Sequence, residues 1–116
     1  MVKEQIPRSP RYPSNFGVTV RGSHGISVLG KVKNVSLTGI LFIPDEENVP
    51  IVPDAEVQLQ IYVSNGNSVT TYTVPMRVAR FNRTEAGMTV NEKDEQAVEA
   101  MRAIVEHANR AKSGDQ

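Results

Sequence analysis

The chain has 116 residues, enough for one domain with its own core. Thirteen Lys and Arg balance thirteen Asp and Glu, which argues against bulk nucleic-acid binding and membrane adsorption. Cysteine is absent, so disulfides and thiolate chemistry are excluded. No charged-then-apolar leader and no apolar run of about 18 residues is present, which predicts a cytoplasmic protein.

Met1 to Asn15 holds three prolines, Arg8 and Arg11, and shows no apolar period. Proline fixes φ and disfavours helix at the residue before it. The segment reads as an extended basic arm that an anion would order, leaving residues 16–112 as the folded body. Phe16, Val18 and Val20 alternate with Gly17, Thr19 and Arg21, the pattern of a half-buried strand. Gly22 to Gly25 turns the chain, and Ile26 to Lys33 forms a second strand with Val28, Gly30 and Val32 on one face. Asn34-Val35-Ser36-Leu37-Thr38-Gly39 is a short polar kink, and Gly39 to Ile43 is a third strand. Asn and Ser side chains there can bond backbone or ligand, and Gly39 permits positive φ or close approach of another group.

Asp45 to Asp54, with its acids and prolines, reads as a solvated loop over Val49, Ile51 and Val52. Val57, Leu59, Ile61 and Val63 mark a fourth strand, and Asn65-Gly66 predicts a type I′ hairpin turn into a fifth. Pro75 is expected to interrupt that fifth strand, at an edge position or a bulge, with Met76, Val78 and Arg80-Phe81 continuing its path. Asn82 to Ala86 turns again, and Gly87 to Val90 is a short last strand. Asp94 to Lys112 is the one helical pattern, with Ala97, Met101, Ile104 and Ala108 among its apolar stripe and Asn91 or Asp94 as cap. That stripe is expected to lie on an open end or edge of the β structure, or against a second chain.

His24 and His107 have no His, Cys or Asp partner at metal-ligand spacing, so no metal or other cofactor is expected. No nucleophile elbow, phosphate-cradling loop or carboxylate pair is present, which argues against an enzyme. What does stand out is Asn34-x-Ser36-x-x-Gly39 preceded by the arginine pair Arg8-Ser9-Pro10-Arg11. This combination resembles the PilZ domain family, over most of the chain from Arg8 to the C-terminal helix. The second motif matches in full; the family's first motif is Arg-x-x-x-Arg, one residue longer than the spacing here.

The resemblance implies a mainly β fold, a six-stranded antiparallel barrel with a C-terminal α-helix. It implies binding of the bacterial second messenger cyclic di-GMP by Arg8, Arg11, Asn34, Ser36 and Gly39, without catalysis. The arginines would take phosphate or guanine, Asn34 and Ser36 would hold the guanine or a nearby phosphate, and Gly39 would allow close approach. Output would be a change in the arm that a partner protein reads, in motility or biofilm regulation. The alternatives are a degenerate member that serves only as a protein adaptor, and a small barrel for single-stranded nucleic acid. The last would require exposed aromatics on a basic face, and Tyr and Phe are few.

Overall fold

The computed structural model describes residues 10–114, with side chains up to position 110. Six strands follow in chain order: β1 (Tyr12–Arg21), β2 (Ser27–Val35), β3 (Gly39–Pro44), β4 (Glu56–Asn65), β5 (Ser68–Phe81) and β6 (Ala86–Val90). A long α-helix, α1 (Glu95–Gly114), follows β6. The strands close into an antiparallel barrel in the order β1-β2-β3-β6-β5-β4, with β4 returning to β1. The expected six-stranded barrel with a C-terminal helix is therefore the observed fold. Closure removes sheet edges, so β3 has a partner on each side, as its apolar sequence requires.

Alternation decides which side chains fill the interior. Val18 and Val20 of β1, Val28, Val32 and Val35 of β2, Ile40 and Phe42 of β3, and Leu59, Ile61 and Val63 of β4 are all buried. Met88 of β6 and Val74 and Val78 of β5 complete the ring. Helix α1 adds Ala97, Met101, Ile104 and Ala108 to the same core. These lie at intervals of four, three and four, one stripe of an α-helix. The helix packs on β5, β1 and β2, so its stripe faces its own barrel rather than requiring a second chain to cover it. Tyr72 Oη lies 3.3 Å from His107 Nε2, joining helix to β5 at the surface of that contact.

Of the two candidate caps, Asp94 serves the helix. Its Oδ1 accepts from the Ala97 amide at 3.1 Å, while Asn91 Oδ1 accepts from the Lys93 amide at 3.0 Å in the turn before it. An N-cap carboxylate satisfies an otherwise unpaired amide, and its loss costs about 1 kcal/mol. Asp94→Ala should thus lower the thermal unfolding midpoint by about 4 °C, the shift that corresponds to 1 kcal/mol in a domain of this size. An unchanged midpoint would show that this cap contributes nothing.

Three local expectations need correction. Strand β1 begins at Tyr12, four residues before the expected start, because Tyr12 and Pro13 pair with Val35 and Asn34 of β2. Residues 12–15 of the expected arm are thus in β1, with a register shift between Pro13 and Phe16; the arm's first nine residues lie outside the described ones. Strand β5 runs unbroken through Pro75. Pairing with β6 begins only at Met76, so one flank of Pro75 has no ladder and a missing N–H there breaks no bond. Finally, the β4–β5 hairpin turns on Gly66-Asn67, flanked by the Asn65–Ser68 pair. Among the turn residues only Gly66 has positive φ, 67°, the type II′ pattern rather than type I′.

The Asp45–Asp54 loop packs Ile51 into the core and leaves Val52 exposed. Val49 is half-buried beneath the same loop.

Candidate functional site

The kink between β2 and β3 is held from within. Ser36 is 1% exposed. Its amide donates to the Gly39 carbonyl at 2.9 Å, and its Oγ accepts from the Thr38 amide at 3.2 Å. Ser36 Oγ also lies 3.2 Å from Thr38 Oγ1 and 3.4 Å from the Gly39 carbonyl oxygen. A buried hydroxyl with several local partners fixes the loop's shape. Ser36 therefore builds the turn, and its side chain points into it.

Gly39 is not in the left-handed region; among the described glycines only Gly25 and Gly66 have positive φ. Its need is space. A Cβ at position 39 would stand 2.2 Å from the Met88 carbonyl oxygen and 3.3 Å from Thr89 Cα. Gly39 pairs with Thr89, and the Val90 amide donates to the Thr38 carbonyl at 2.9 Å. The close approach that the sequence suggested is thus made by the backbone of β6.

Asn34 and Arg11 meet on the outside of the kink, where Arg11 Nη1 donates to Asn34 Oδ1. Twenty-three positions separate them in the chain. They meet because Pro13 pairs with Asn34, which puts Arg11 at the end of the β1–β2 ladder. Ser14 Oγ donates to the Val32 carbonyl at 2.5 Å and fixes the strand just after this junction. Of the five residues predicted for the site, Arg11, Asn34, Ser36 and Gly39 come together around one kink; Arg8 lies outside the described residues.

The charge of the strands differs from the neutral total, and part of it lies beside this kink. The six strands carry Arg21, Lys31, Lys33, Arg77 and Arg80 but a single acid, Glu56. The other acids among the described residues lie in loops and in α1. Lys31 and Lys33 are exposed on β2, next to Asn34. Leu37, at the tip of the kink, is 40% exposed beside them. The outer wall there offers cations, an amide and apolar surface, a combination suited to a phosphate-bearing guest with flat rings.

A surface depression of about 910 Å³ lies elsewhere and contains none of the predicted residues. Arg21, Glu56, Arg77 and Asp94 line it with charges of both signs. Arg77 is paired there with Asp54 at 3.3 Å. The shallow basic wall at the kink has the more coherent chemistry. Among the described residues no three His, Asp or Glu side chains cluster to hold a metal, and no helix is long and apolar enough to cross a membrane.

Comparison with known proteins agrees with the architecture. Residues 5–107 match the family model of the PilZ domain. The structure is similar to the PilZ domain of YcgR from Escherichia coli, solved with c-di-GMP, at a TM-score of 0.76 and 8% identity. That match covers 97% of this chain and 100% of the other. It is also similar to the Bacillus subtilis inhibitor of motility MotI/DgrA, at a TM-score of 0.74 and 14% identity, covering 97% of this chain. The chain spans about half of that protein, 54% of its length. No curated protein matches the chain significantly.

Proposed function

The chain belongs to the PilZ domain family, and from that premise we propose that it is a non-catalytic receptor module for cyclic di-GMP. One observation carries the proposal. Arg11 and Asn34, from the two sequence motifs, are hydrogen-bonded on the outer face of the kink, next to exposed Lys31 and Lys33.

Each group has a defined task in this reading. Arg11 takes a phosphodiester oxygen or a guanine edge, since a guanidinium forks onto two acceptors at once. Its present bond to Asn34 is an exposed one and exchanges readily for a charged guest. Asn34 then offers amide donor and acceptor to the base. Ser36 and Gly39 act indirectly, one by shaping the kink and the other by seating it against β6. Arg8, three residues before Arg11, closes over the guest from the arm. Fixing backbone opposes this by about 1–2 kcal/mol per residue, and charge-assisted bonds of about 1.5–3 kcal/mol each offset it.

Among the described residues no reacting group accompanies the site, and the output in this reading is conformational: the arm changes position and a partner protein reads the altered surface. The likeness to an inhibitor of motility supports a partner in bacterial motility.

Titration of the full chain with cyclic di-GMP tests the proposal. Calorimetry should register binding at micromolar ligand, with amide shifts at Asn34 and at Ser36 to Gly39. Silence in both measurements would leave the adaptor reading, in which the shorter Arg8-x-x-Arg11 spacing has removed recognition and the same surface binds protein alone.

A further inference from the structure

We infer that Arg80 is a further ligand-contacting cation of this surface, facing Arg11 across the outer wall. The inference rests on the receptor reading above and adds to it a residue outside both motifs.

Register carries the argument. Asn34 pairs with Leu41, Leu41 with Gly87, and Gly87 with Arg80. The four form one transverse row across β2, β3, β6 and β5. Their chain neighbours Val35, Ile40, Phe42, Ala86 and Met88 are buried, so the row itself faces outward. Both ends of the row depend on irregularities in the strands. Between Val32 and Asn34 the register shifts, so that Asn34 rather than Lys33 stands opposite Leu41. Between Val78 and Arg80 it shifts again, so that Arg80 rather than Ala79 stands opposite Gly87. A bulge re-aims a side chain, and here two separate bulges bring an amide and a guanidinium onto the same row.

Gly87 gives Arg80 its place. A Cβ at position 87 would stand 3.1 Å from Arg80 Nε, 3.4 Å from its Cγ and 3.8 Å from its Cζ. The arginine thus lies across β6 over the space that a side chain there would occupy, on the row that continues to Leu41. Arg80 is exposed and has no ion pair among the described residues. Three strand spacings of about 4.8 Å separate the backbones at the two ends of the row, roughly 14 Å. Arg11 beside Asn34 and Arg80 over Gly87 therefore bracket a strip with half-buried Leu41 as its floor. A guest with an apolar ring face and anionic groups toward both ends suits that strip: a cyclic dinucleotide lies on Leu41, one guanidinium to each side. Arg80 meets it through phosphate oxygens or by stacking on a purine.

Calorimetry on the full chain with cyclic di-GMP, comparing native protein with Arg80→Ala, Arg80→Gln and Gly87→Val, tests this. Arg80→Ala and Arg80→Gln should each raise Kd about tenfold, the fold-change expected from losing one charge-assisted bond. Gly87→Val should weaken binding as well, because its side chain displaces a guanidinium that is still present. Arg80→Gln keeps most of the aliphatic stem over β6, so it separates lost charge from lost packing. Native protein that binds, with both Arg80 variants within twofold of it, overturns the assignment of Arg80 and leaves the receptor reading standing. Native protein that does not bind overturns both.

Discussion

Gly39→Ala is expected to destabilise the domain by about 3 kcal/mol or more, the upper range for forced overpacking. The added carbon would stand 2.2 Å from the Met88 carbonyl oxygen, which is backbone and has no rotamer to change. Moving β6 away would disturb the Gly39–Thr89 pair and the bond from the Val90 amide to the Thr38 carbonyl. Moving β3 instead would pull on the kink, where the Ser36 amide bonds the Gly39 carbonyl. Either way the barrel loses a seam beside buried Ile40 and Met88. For a domain of this size the loss corresponds to roughly 10 °C or more in the unfolding midpoint. Circular dichroism melting of the unliganded protein measures it. A midpoint within about 2 °C of native would mean that β3 and β6 adapt freely, and the account of Gly39 would be wrong.

This expectation bears on how the Asn34-x-Ser36-x-x-Gly39 motif works. Three residues that read as one ligand-binding signature divide into different physical roles. Asn34 is on the surface, Ser36 is inside the turn, and Gly39 is in the sheet. A loss of binding in Gly39→Ala would therefore come with a loss of stability, and would not by itself identify a contact with the guest.

How much of this was legible beforehand follows from what alternation can and cannot encode. The helix was readable because Ala97, Met101, Ile104 and Ala108 keep a period that one packing contact satisfies. The strands were readable where one face is core, as in Val57, Leu59, Ile61 and Val63. Pro75 misled because a proline's cost depends on which flank has a neighbour, a matter of topology rather than of the strand's own residues. The hairpin misled by one position: Asn65-Gly66 and Gly66-Asn67 are both good turn pairs, and register across β4 and β5 chooses between them.

Arg80 was missed as a candidate for a related reason. With Val78 inward, strict alternation points Ala79 out and Arg80 in; the bulge leaves Ala79 out and turns Arg80 outward too, and bulges leave little trace in a single sequence. The one available signal was an arginine and a glycine flanking the Asn82 turn, where Asn82 Oδ1 accepts from the Thr84 and Glu85 amides. The basic character of the strands was hidden as well, because balanced totals conceal a partition in which the strands hold five cations to one acid while most of the other described acids lie in loops.

Arg11→Ala should reduce cyclic di-GMP affinity by about 10- to 100-fold, the range that follows from losing one or more charge-assisted bonds of about 1.5–3 kcal/mol. The unfolding midpoint of the unliganded chain should stay near its native value, since Arg11 is exposed and its bond to Asn34 is a surface one. Arg8→Ala should have the smaller effect on affinity. Arg11 directly precedes β1 and is tethered beside Asn34 by the Pro13–Asn34 pair, so little further ordering opposes its contact with the guest. Arg8 is three residues farther along the chain from that tether. The Arg11–Asn34 contact makes a sharper test possible. If both residues hold one guest, Arg11→Ala and Asn34→Ala will not add: the double variant should lose less than the sum of the single losses, because each single change already disorders what the other relies on. Additive losses from the two substitutions would mean that the residues act on separate sites. Equal affinity in native and Arg11→Ala protein would remove the arginine from recognition and favour a surface that serves a protein partner alone.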